Sequence, residues 1–252
     1  MSEHIRISTQ DRITTLTIDR QDKKNAITQA MYAAMADALN AYAETDDARA
    51  FIITGAGDMF TAGNDLQDFS TGPRDAKTPP VLRFLAAISG CPKPVIAAVN
   101  GPGIGIGLTM LLHCDLVYAG ESATMSAPFV KLGLVPEAAS SLLLPAQVGM
   151  AIANDVLLTG RTLTADEALR FGLAARVFPD ADLMAETLKI AASVAASAPT
   201  ALIQSKALIR NQKERIAEVM QEEGKIFAAQ LKSPDFAESV AAMMQKRAPV
   251  YK

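Results

Sequence analysis

The sequence predicts an α/β fold, and two observations carry that prediction. Segments typical of buried strands alternate with segments of helical periodicity through the first two thirds of the chain, as in a sheet covered by helices. Near Phe178 the strand signals mostly stop, and Ala-rich helical segments take over. With 252 residues and a 50% hydrophobic content, the chain has enough apolar side chains to fill a large core.

The predicted elements begin with a hairpin and a helix. Residues 5–8 and 13–18 alternate apolar and polar side chains, which predicts two paired strands, and residues 20–25 form a polar loop. Thr28 is predicted to cap an Ala-rich helix that extends to about Thr45. The apolar face of that helix consists of Met31, Met35, Leu39 and Tyr42.

The middle of the chain predicts buried strands at residues 51–54, 95–99 and 115–119, with a helix at 107–113 before the last of them. The run 95–112 is uncharged and long enough to suggest a membrane helix. Its centre, however, carries turn residues and repeated glycines, which divide it into a strand, a turn and a helix start. We therefore expect buried core there and no membrane partner.

The C-terminal part predicts helices from Leu183 onward, interrupted at Pro199 and Pro234. This change in pattern predicts an α/β core over residues 1–179 and a helical subdomain over residues 180–252, packed closely together because no long linker separates them.

The charge and cysteine content exclude some classes of function. The 24 Lys and Arg residues against 27 Asp and Glu give a net charge of −3, so nucleic acid is not an expected partner. Cys91 and Cys114 cannot build a disulfide framework, and His4 and His113 stand too far apart for a zinc motif. We expect a cytoplasmic protein with no metal and no secretory signal.

Three loops carry residues that are unusual for plain connectors. The first, residues 54–65, follows a predicted strand and contains several glycines, which allow close approach of a ligand. One interpretation is a Gly-rich turn in which Asn64 or Asp65 caps a helix through Leu66 and Phe69. The other is that exposed N–H groups at this helix start face a ligand.

The second loop, residues 100–107, has alternating glycines between a strand and a helix. A dinucleotide-binding G-x-G-x-x-G motif would require glycine at position 108, where Leu108 stands. P-loop and nucleophile-elbow motifs are also missing from the sequence. Two interpretations remain: a helix start opened for an oxygen anion, or tight packing of strand against helix.

The third loop, residues 126–137, places the carboxylate of Glu137 in apolar company. An acid after Pro136 often lies in the first turn of a helix, where the helix dipole favours it. Alternatively, apolar surroundings raise the pKa of the carboxylate until it works as a base near neutral pH.

Taken together and in this order, the three loops resemble the crotonase superfamily of enoyl-CoA hydratases and isomerases over essentially the whole chain. The matching residues are AGNDL at 62–66, AVNG at 98–101 with CD at 114–115, AP at 127–128 with Pro136, and QKR at 245–247. The resemblance implies a crotonase-like spiral of ββα units and a C-terminal helical region that trimerises, giving a homotrimer or a hexamer that is a dimer of trimers.

The resemblance also implies the ligand and its contacts. The substrate is an acyl-CoA thioester, so coenzyme A belongs to the substrate and no separate cofactor is expected. The thioester oxygen lies between the backbone N–H groups of Asn64 and Ile106. The residues implied to contact substrate or coenzyme A are Lys24, Ala26, Ala62, Gly63, Asn64, Asp65, Leu66, Gly105, Ile106, Phe129 and Lys246.

Departures from the family pattern favour an isomerase. The family's hydratases add water with two glutamates, but Thr109 and Phe129 stand at those positions, and neither side chain is a carboxylic acid. The segment VPEAASS at 135–141 is similar to the S-P-E-x-x-S-S region of peroxisomal-type Δ3,Δ2-enoyl-CoA isomerases. There the matching glutamate is the single base, which implies this role for Glu137.

Two other functions are compatible with the sequence. One is an enoyl-CoA hydratase of relaxed mechanism, which converts 2-enoyl-CoA and water to 3-hydroxyacyl-CoA. The other is a non-catalytic acyl-CoA-binding member of the family.

Overall fold

Two β-sheets and the helices around them make up the part of the chain described by the computed structural model, residues 2–65, 68 and 78–251. The strands are β1 (Ile5–Gln10), β2 (Ile13–Ile18), β3 (Ala50–Gly55), β4 (Val95–Val99), β5 (Gly103–Ile104), β6 (Leu116–Gly120), β7 (Thr124–Ser126), β8 (Thr162–Thr164) and β9 (Arg176–Phe178). The helices are α1 (Gln29–Glu44), α2 (Pro80–Gly90), α3 (Ile106–Thr109), α4 (Ser140–Val148), α5 (Met150–Thr159), α6 (Ala165–Arg170), α7 (Leu183–Ala196), α8 (Pro199–Ile209), α9 (Lys213–Gln230) and α10 (Pro234–Met244).

The larger sheet has the strand order β1-β2-β3-β4-β6-β9 within the described residues. The first pair, β1 with β2, is antiparallel, whereas the strands from β2 to β9 in this order are parallel to one another. A second sheet of order β5-β7-β8 packs beside it. This architecture confirms the predicted α/β class, and the carboxyl ends of adjacent parallel strands supply the loops in which ligands bind in such sheets.

Both faces of the larger sheet are buried, which explains why its central strands are almost uniformly apolar. Phe51 and Ile53 face the main core, and Ile52 faces the opposite layer. Leu183 and Ala191 of α7 pack in that second layer, so the helical part of the chain begins by covering the sheet. The predicted boundary near Pro179 remains a prediction.

Several local predictions are confirmed. The hairpin of β1 and β2 forms, and the Thr28 hydroxyl accepts a hydrogen bond from the Met31 N–H at 3.3 Å, as expected of an N-cap. The uncharged run 95–112 divides into β4, β5 and a helix start, and no helix among the described residues is long and apolar enough to cross a membrane.

Two local predictions need correction. The helix predicted at 107–113 begins at Ile106 and tightens into a 3₁₀ turn over Met110–His113, where the Cys114 N–H reaches back three residues to Leu111 O. The predicted polar loop 20–25 contains a short 3₁₀ turn, Gln21–Lys23, which ends in the left-handed Lys24.

Candidate active site

The first two Gly-rich loops pair with each other at the ends of β3 and β4. The Thr61 N–H donates to Pro102 O at 3.1 Å, and the Ile104 N–H donates to Thr61 O at 3.0 Å. Gly63 lies so close to the second loop that a Cβ there would be 2.8 Å from Ile104 O. The segments that carry Asn64 and Ile106 are therefore fixed side by side.

The Asn64 N–H is left open by the way its segment pairs with Ile27. The Ile27 N–H donates to Gly63 O at 2.8 Å, and the Asp65 N–H donates to Ile27 O at 3.0 Å. In a parallel bridge of this kind, the N–H of the intervening residue points to the other side of the segment. Within the described part of the chain, the Asn64 N–H has no acceptor.

The Ile106 N–H is open because of the conformation of Gly105. Gly105 has φ +60° and ψ −115°, which L side chains rarely adopt, and it begins α3. Its N–H donates to Ser126 O at 2.8 Å, while its carbonyl accepts from the Thr109 N–H at 3.0 Å. The Ile106 N–H finds no acceptor among the described residues. We call Asn64 N–H and Ile106 N–H the cradle.

The other glycines of the second loop support the packing interpretation as well. A Cβ at Gly107 would lie 2.8 Å from the Thr61 methyl group, and one at Gly103 would lie 3.0 Å from Gly107 O. The loop is thus both tightly packed and open at Ile106.

In the first loop, the Asp65 carboxylate accepts from the Asp68 N–H at 3.0 Å, which is the expected cap contact. Leu66 and Phe69 lie outside the described residues.

Glu137 lies beside α3 and is joined to it by a hydrogen bond. The Thr109 hydroxyl, one helical turn after the cradle residue Ile106, donates to Glu137 Oε1 at 2.8 Å. Helix α4 begins only at Ser140, so the interpretation of Glu137 as an acid in a helix's first turn is wrong.

Burial raises the pKa of Glu137 from 4.5 to about 7. The Thr109 hydrogen bond opposes this rise in pKa, and the charge of Glu223 adds to it.

Tyr32 contacts the side chain of the cradle residue Asn64, and the sequence patterns did not single it out. Its hydroxyl donates to the side-chain oxygen of Asn64. Burial raises the pKa of Tyr32 well above its ordinary value, and the negative charge of Glu137 raises it further. Tyr32 shares the buried face of α1 with Met35 and Ala36, three and four residues on, which is the signal that marks it as inward-facing.

Some of the residues predicted to contact coenzyme A, those at 24–26 and 62–65, form a strip that includes the end of the first loop. The Ala62 N–H donates to Lys24 O at 2.9 Å. The Arg20 guanidinium holds both Ala26 O, at 3.1 Å, and the Asp65 carboxylate, at 2.7 Å. Lys24 is exposed, so its ammonium is accessible to a phosphate.

The remaining predicted contact residues divide between the interior and the surface. Phe129 is buried, and its carbonyl accepts from the Leu132 and Leu134 N–H groups, each at 2.9 Å. Lys246 is exposed and follows α10. Among the described residues, no contact joins Lys246 to the strip at 24–26 and 62–65.

A cavity of about 690 Å³ lies apart from the cradle, with Leu143, Leu173 and Ile209 in its wall. Its cationic groups are already paired: Lys206 Nζ is 2.7 Å from one Asp115 oxygen, and Arg210 Nε is 3.1 Å from the other. Neither the cradle residues nor Glu137 line this cavity. The cradle with Glu137 is the candidate active site because two open N–H groups lie on segments next to a buried carboxylate whose pKa is raised.

Several known proteins that are similar to this chain carry names that refer to reactions of acyl-CoA thioesters. Residues 8–252 match the family described as enoyl-CoA hydratase/isomerase. Enoyl-CoA delta isomerase 2 from Rattus norvegicus is 38% identical over 253 residues, which cover 98% of this chain; the chain spans only 64% of that relative's length. Carnitinyl-CoA dehydratase from Salmonella typhi is 35% identical over 264 residues, covering 100% of this chain and 99% of the relative.

Solved structures agree with these sequence matches. The crystal structure of an enoyl-CoA hydratase/isomerase from Pseudoalteromonas atlantica T6c superposes with a TM-score of 0.97 at 54% sequence identity. That comparison covers 99% of this chain and 100% of the other.

Proposed function

Since the chain belongs to the enoyl-CoA hydratase/isomerase family, we propose that it is an enoyl-CoA isomerase that moves the double bond of a 3-enoyl-CoA to the 2-trans position. One observation carries the proposal. Thr109 stands where the family's hydratases have their first glutamate, and its hydroxyl donates to Glu137. The site therefore has one carboxylate oriented by a neutral group in place of a pair of acids.

The cradle would bind the thioester oxygen through two main-chain donors. Removing the C2 proton of a 3-enoyl thioester puts negative charge on that oxygen, and preorganised N–H groups stabilise the charge where it develops. The loss of one such donor costs on the order of 3 kcal/mol in well-studied enzymes. Both donors are backbone groups, so we expect the flanking glycines to matter more than the side chains of Asn64 and Ile106.

Glu137 would carry the proton between two carbons. As a carboxylate it removes a proton from C2, which the carbonyl and the vinyl group make acidic, and the electrons delocalise into a dienolate. The protonated Glu137 then returns the proton to C4, and the double bond settles between C2 and C3. Proton and electron pair are both conserved, so the proposed reaction consumes no redox cofactor and needs no metal.

Neighbouring groups support this cycle. Buried Phe129, at the position of the hydratases' second glutamate, would keep water from the dienolate. Lys24, Ala26, Ala62 and Asp65 would contact coenzyme A, and Leu66 and Lys246 are further proposed contacts. A homotrimer or a hexamer and a cytoplasmic location remain predictions.

Two assays separate this proposal from the alternatives. Purified enzyme is expected to convert 3-hexenoyl-CoA to the conjugated 2-enoyl thioester, seen as rising ultraviolet absorbance. A hydratase would instead consume crotonyl-CoA, and the same absorbance would fall. Appreciable hydration without isomerisation would reverse the proposal; the similarity to a carnitinyl-CoA dehydratase is the observation that favours this second candidate. Tight acyl-CoA binding without either reaction would indicate a non-catalytic member.

The pH dependence of isomerisation is expected to follow Glu137. Because its pKa is raised to about 7, the base is protonated and inactive below that pH. We expect kcat/KM to fall about tenfold per pH unit on the acid side of pH 7 and to level off above it. Initial rates at low substrate from pH 5 to 9 measure this limb; a limb near pH 4.5 would mean that the free enzyme's base is an unperturbed carboxylate.

Thr109→Val is expected to move that acid limb to higher pH. Valine has the shape of threonine but lacks the hydroxyl donor, whose hydrogen bond lowers the pKa of Glu137. At neutral pH we expect about a tenfold loss in kcat, the effect of losing a hydrogen bond to a charged group. Thr109→Ser keeps the donor and serves as the control. Equal profiles for valine and serine would show that the hydroxyl is irrelevant to the base.

A further inference from the structure

The backbone that follows Glu137 adopts a conformation that its residues disfavour. Ala138 has φ +60° and Ala139 has φ +55°, so two consecutive alanines are left-handed. In that region the Cβ approaches the backbone closely, and residues other than glycine adopt it only when their surroundings hold them there. Something outside the loop must therefore fix this turn.

Two side chains from other elements hold the turn. His113 Nε2 lies 2.8 Å from Ala138 O; because a carbonyl only accepts, this nitrogen carries the hydrogen. Glu223, in α9, accepts from the Ala139 N–H at 2.6 Å. The other oxygen of Glu223 accepts from the Ser141 N–H at 3.0 Å and from the Ser141 hydroxyl at 2.5 Å.

Glu223 is suited to this contact only as a carboxylate. All three of its partners are donors, and an ionised carboxylate is the side chain that only accepts. Glu223 is buried, and no ion pair of the described residues involves it. Its partners lie at the start of α4, whose N-cap residue Ala139 has no side-chain acceptor of its own.

We propose that Glu223 is a positioning residue of the active site: by holding Ala139 and Ser141 it keeps the left-handed turn that places the Glu137 carboxylate on the Thr109 hydroxyl, one helical turn from the cradle residue Ile106. This inference rests on the proposed function. It makes α9, in the C-terminal helical part of the chain, a component of the catalytic apparatus, although Glu223 touches no reacting atom. A simpler role, capping α4 for stability alone, predicts different kinetics.

The titratable and polar groups around Glu137 determine how a change at Glu223 affects the pH profile. Thr109 is neutral, and burial keeps Tyr32 neutral by raising its pKa. Burial lowers the pKa of His113 to about 4, so this side chain is uncharged in the working range. Glu223 is the neighbour whose negative charge raises the pKa of Glu137. Removing that charge is expected to move the acid limb of Glu137 to lower pH under either role, so kcat at pH 8, above the limb, is the quantity that separates positioning from capping.

Glu223→Gln is the main test. Glutamine has the same shape but places an NH₂ group against one of the donors. We expect kcat for 3-hexenoyl-CoA to fall about 10- to 100-fold with KM within about twofold, because a misaimed base slows chemistry more than binding. The acid limb should move to lower pH. Glu222→Gln makes the same charge change at the exposed neighbouring position of α9 and should leave both properties unchanged.

A rescue variant sharpens the test. Glycine adopts the left-handed conformation without a Cβ penalty, so adding Ala139→Gly to Glu223→Gln should recover about fivefold or more of the lost kcat. If Glu223→Gln does not fold, Ser141→Ala replaces it, since it removes one donor and keeps the carboxylate. We expect about a threefold to tenfold lower kcat for Ser141→Ala.

The outcomes are distinct. A folded Glu223→Gln enzyme with kcat at pH 8 within about threefold of wild type would overturn the proposal and leave only a helix cap. If Glu223→Gln does not fold, an unchanged kcat in Ser141→Ala would also overturn the proposal. If the wild type does not isomerise 3-hexenoyl-CoA, the proposed function fails first. Amide hydrogen exchange at Ala139 and Ser141 then still tests the contact with Glu223. We expect faster exchange in Glu223→Gln than in wild type or Glu222→Gln, and unchanged exchange would refute the contact.

Discussion

Glu137→Gln is expected to lower kcat for the isomerisation of 3-enoyl-CoA by between about 10²- and 10⁴-fold, the usual contribution of a positioned base. Glutamine keeps the size of the side chain and an oxygen that can accept from Thr109, but it cannot take a proton from C2. Ultraviolet assays of isomerisation at pH 8, where wild-type Glu137 is ionised, give the loss directly.

Binding is the control for this variant. A saturated acyl-CoA should bind to wild type and Glu137→Gln with similar affinity in calorimetry, because the cradle and the strip at residues 24–26 and 62–65 are untouched. Glu121→Gln removes an exposed carboxylate in the turn after β6 and should leave kcat unchanged. Substantial isomerisation by Glu137→Gln would exclude Glu137 as the base and with it the proposed mechanism.

Gly63→Ala is the second large effect we expect, about 10²- to 10³-fold in kcat. Gly63 has φ +91°, and a Cβ there would come within 2.8 Å of Ile104 O. The clash must push apart the two loops that carry Asn64 and Ile106, so the cradle would no longer fit one oxygen. Steady-state kinetics with 3-hexenoyl-CoA measure the loss, and circular dichroism checks that the fold persists.

Two matched variants isolate the cause in Gly63→Ala. Gly90→Ala, at the end of α2, adds the same methyl group where nothing lies within 4 Å, and its kcat should equal that of wild type. Asn64→Ala removes a side chain but leaves the cradle N–H in place, so its effect should be well below that of Gly63→Ala. If Asn64→Ala were the more damaging, the side chain rather than the backbone would bind the substrate oxygen.

The parts of the fold that could be predicted from the sequence are those whose cause is local. Thr28 is followed by an amphipathic segment, and its hydroxyl caps α1 as expected. Alternating side chains predicted β1 and β2. The bend of the 106–113 segment into a 3₁₀ turn was not predictable, because it depends on how that segment packs and not on its residues alone.

In the candidate site, too, the residues with local sequence signals could be predicted and those that depend on distant contacts could not. Glycine spacing and the family resemblance pointed to Asn64, Ile106 and Glu137, and the structure brings their segments together. The sequence patterns missed Tyr32 and Glu223, since each acts across a long separation. Glu223 lies 84 residues beyond its partner Ala139, and no spacing rule within one element connects them. Contacts of this kind follow from how segments distant in the sequence pack against each other.

The raised pKa of Glu137 also contributes to the pH dependence of the free energy of unfolding. The group has an ordinary pKa of 4.5 and a folded-state pKa of about 7, so the folded chain holds this proton more tightly than the unfolded chain. Its contribution to the free energy of unfolding is complete below pH 4.5, declines as pH rises to 7 and is then constant. The decline is on the order of 3 kcal/mol. At the pH where Glu137 is an active base, the native state carries this cost, and the rest of the core must offset it.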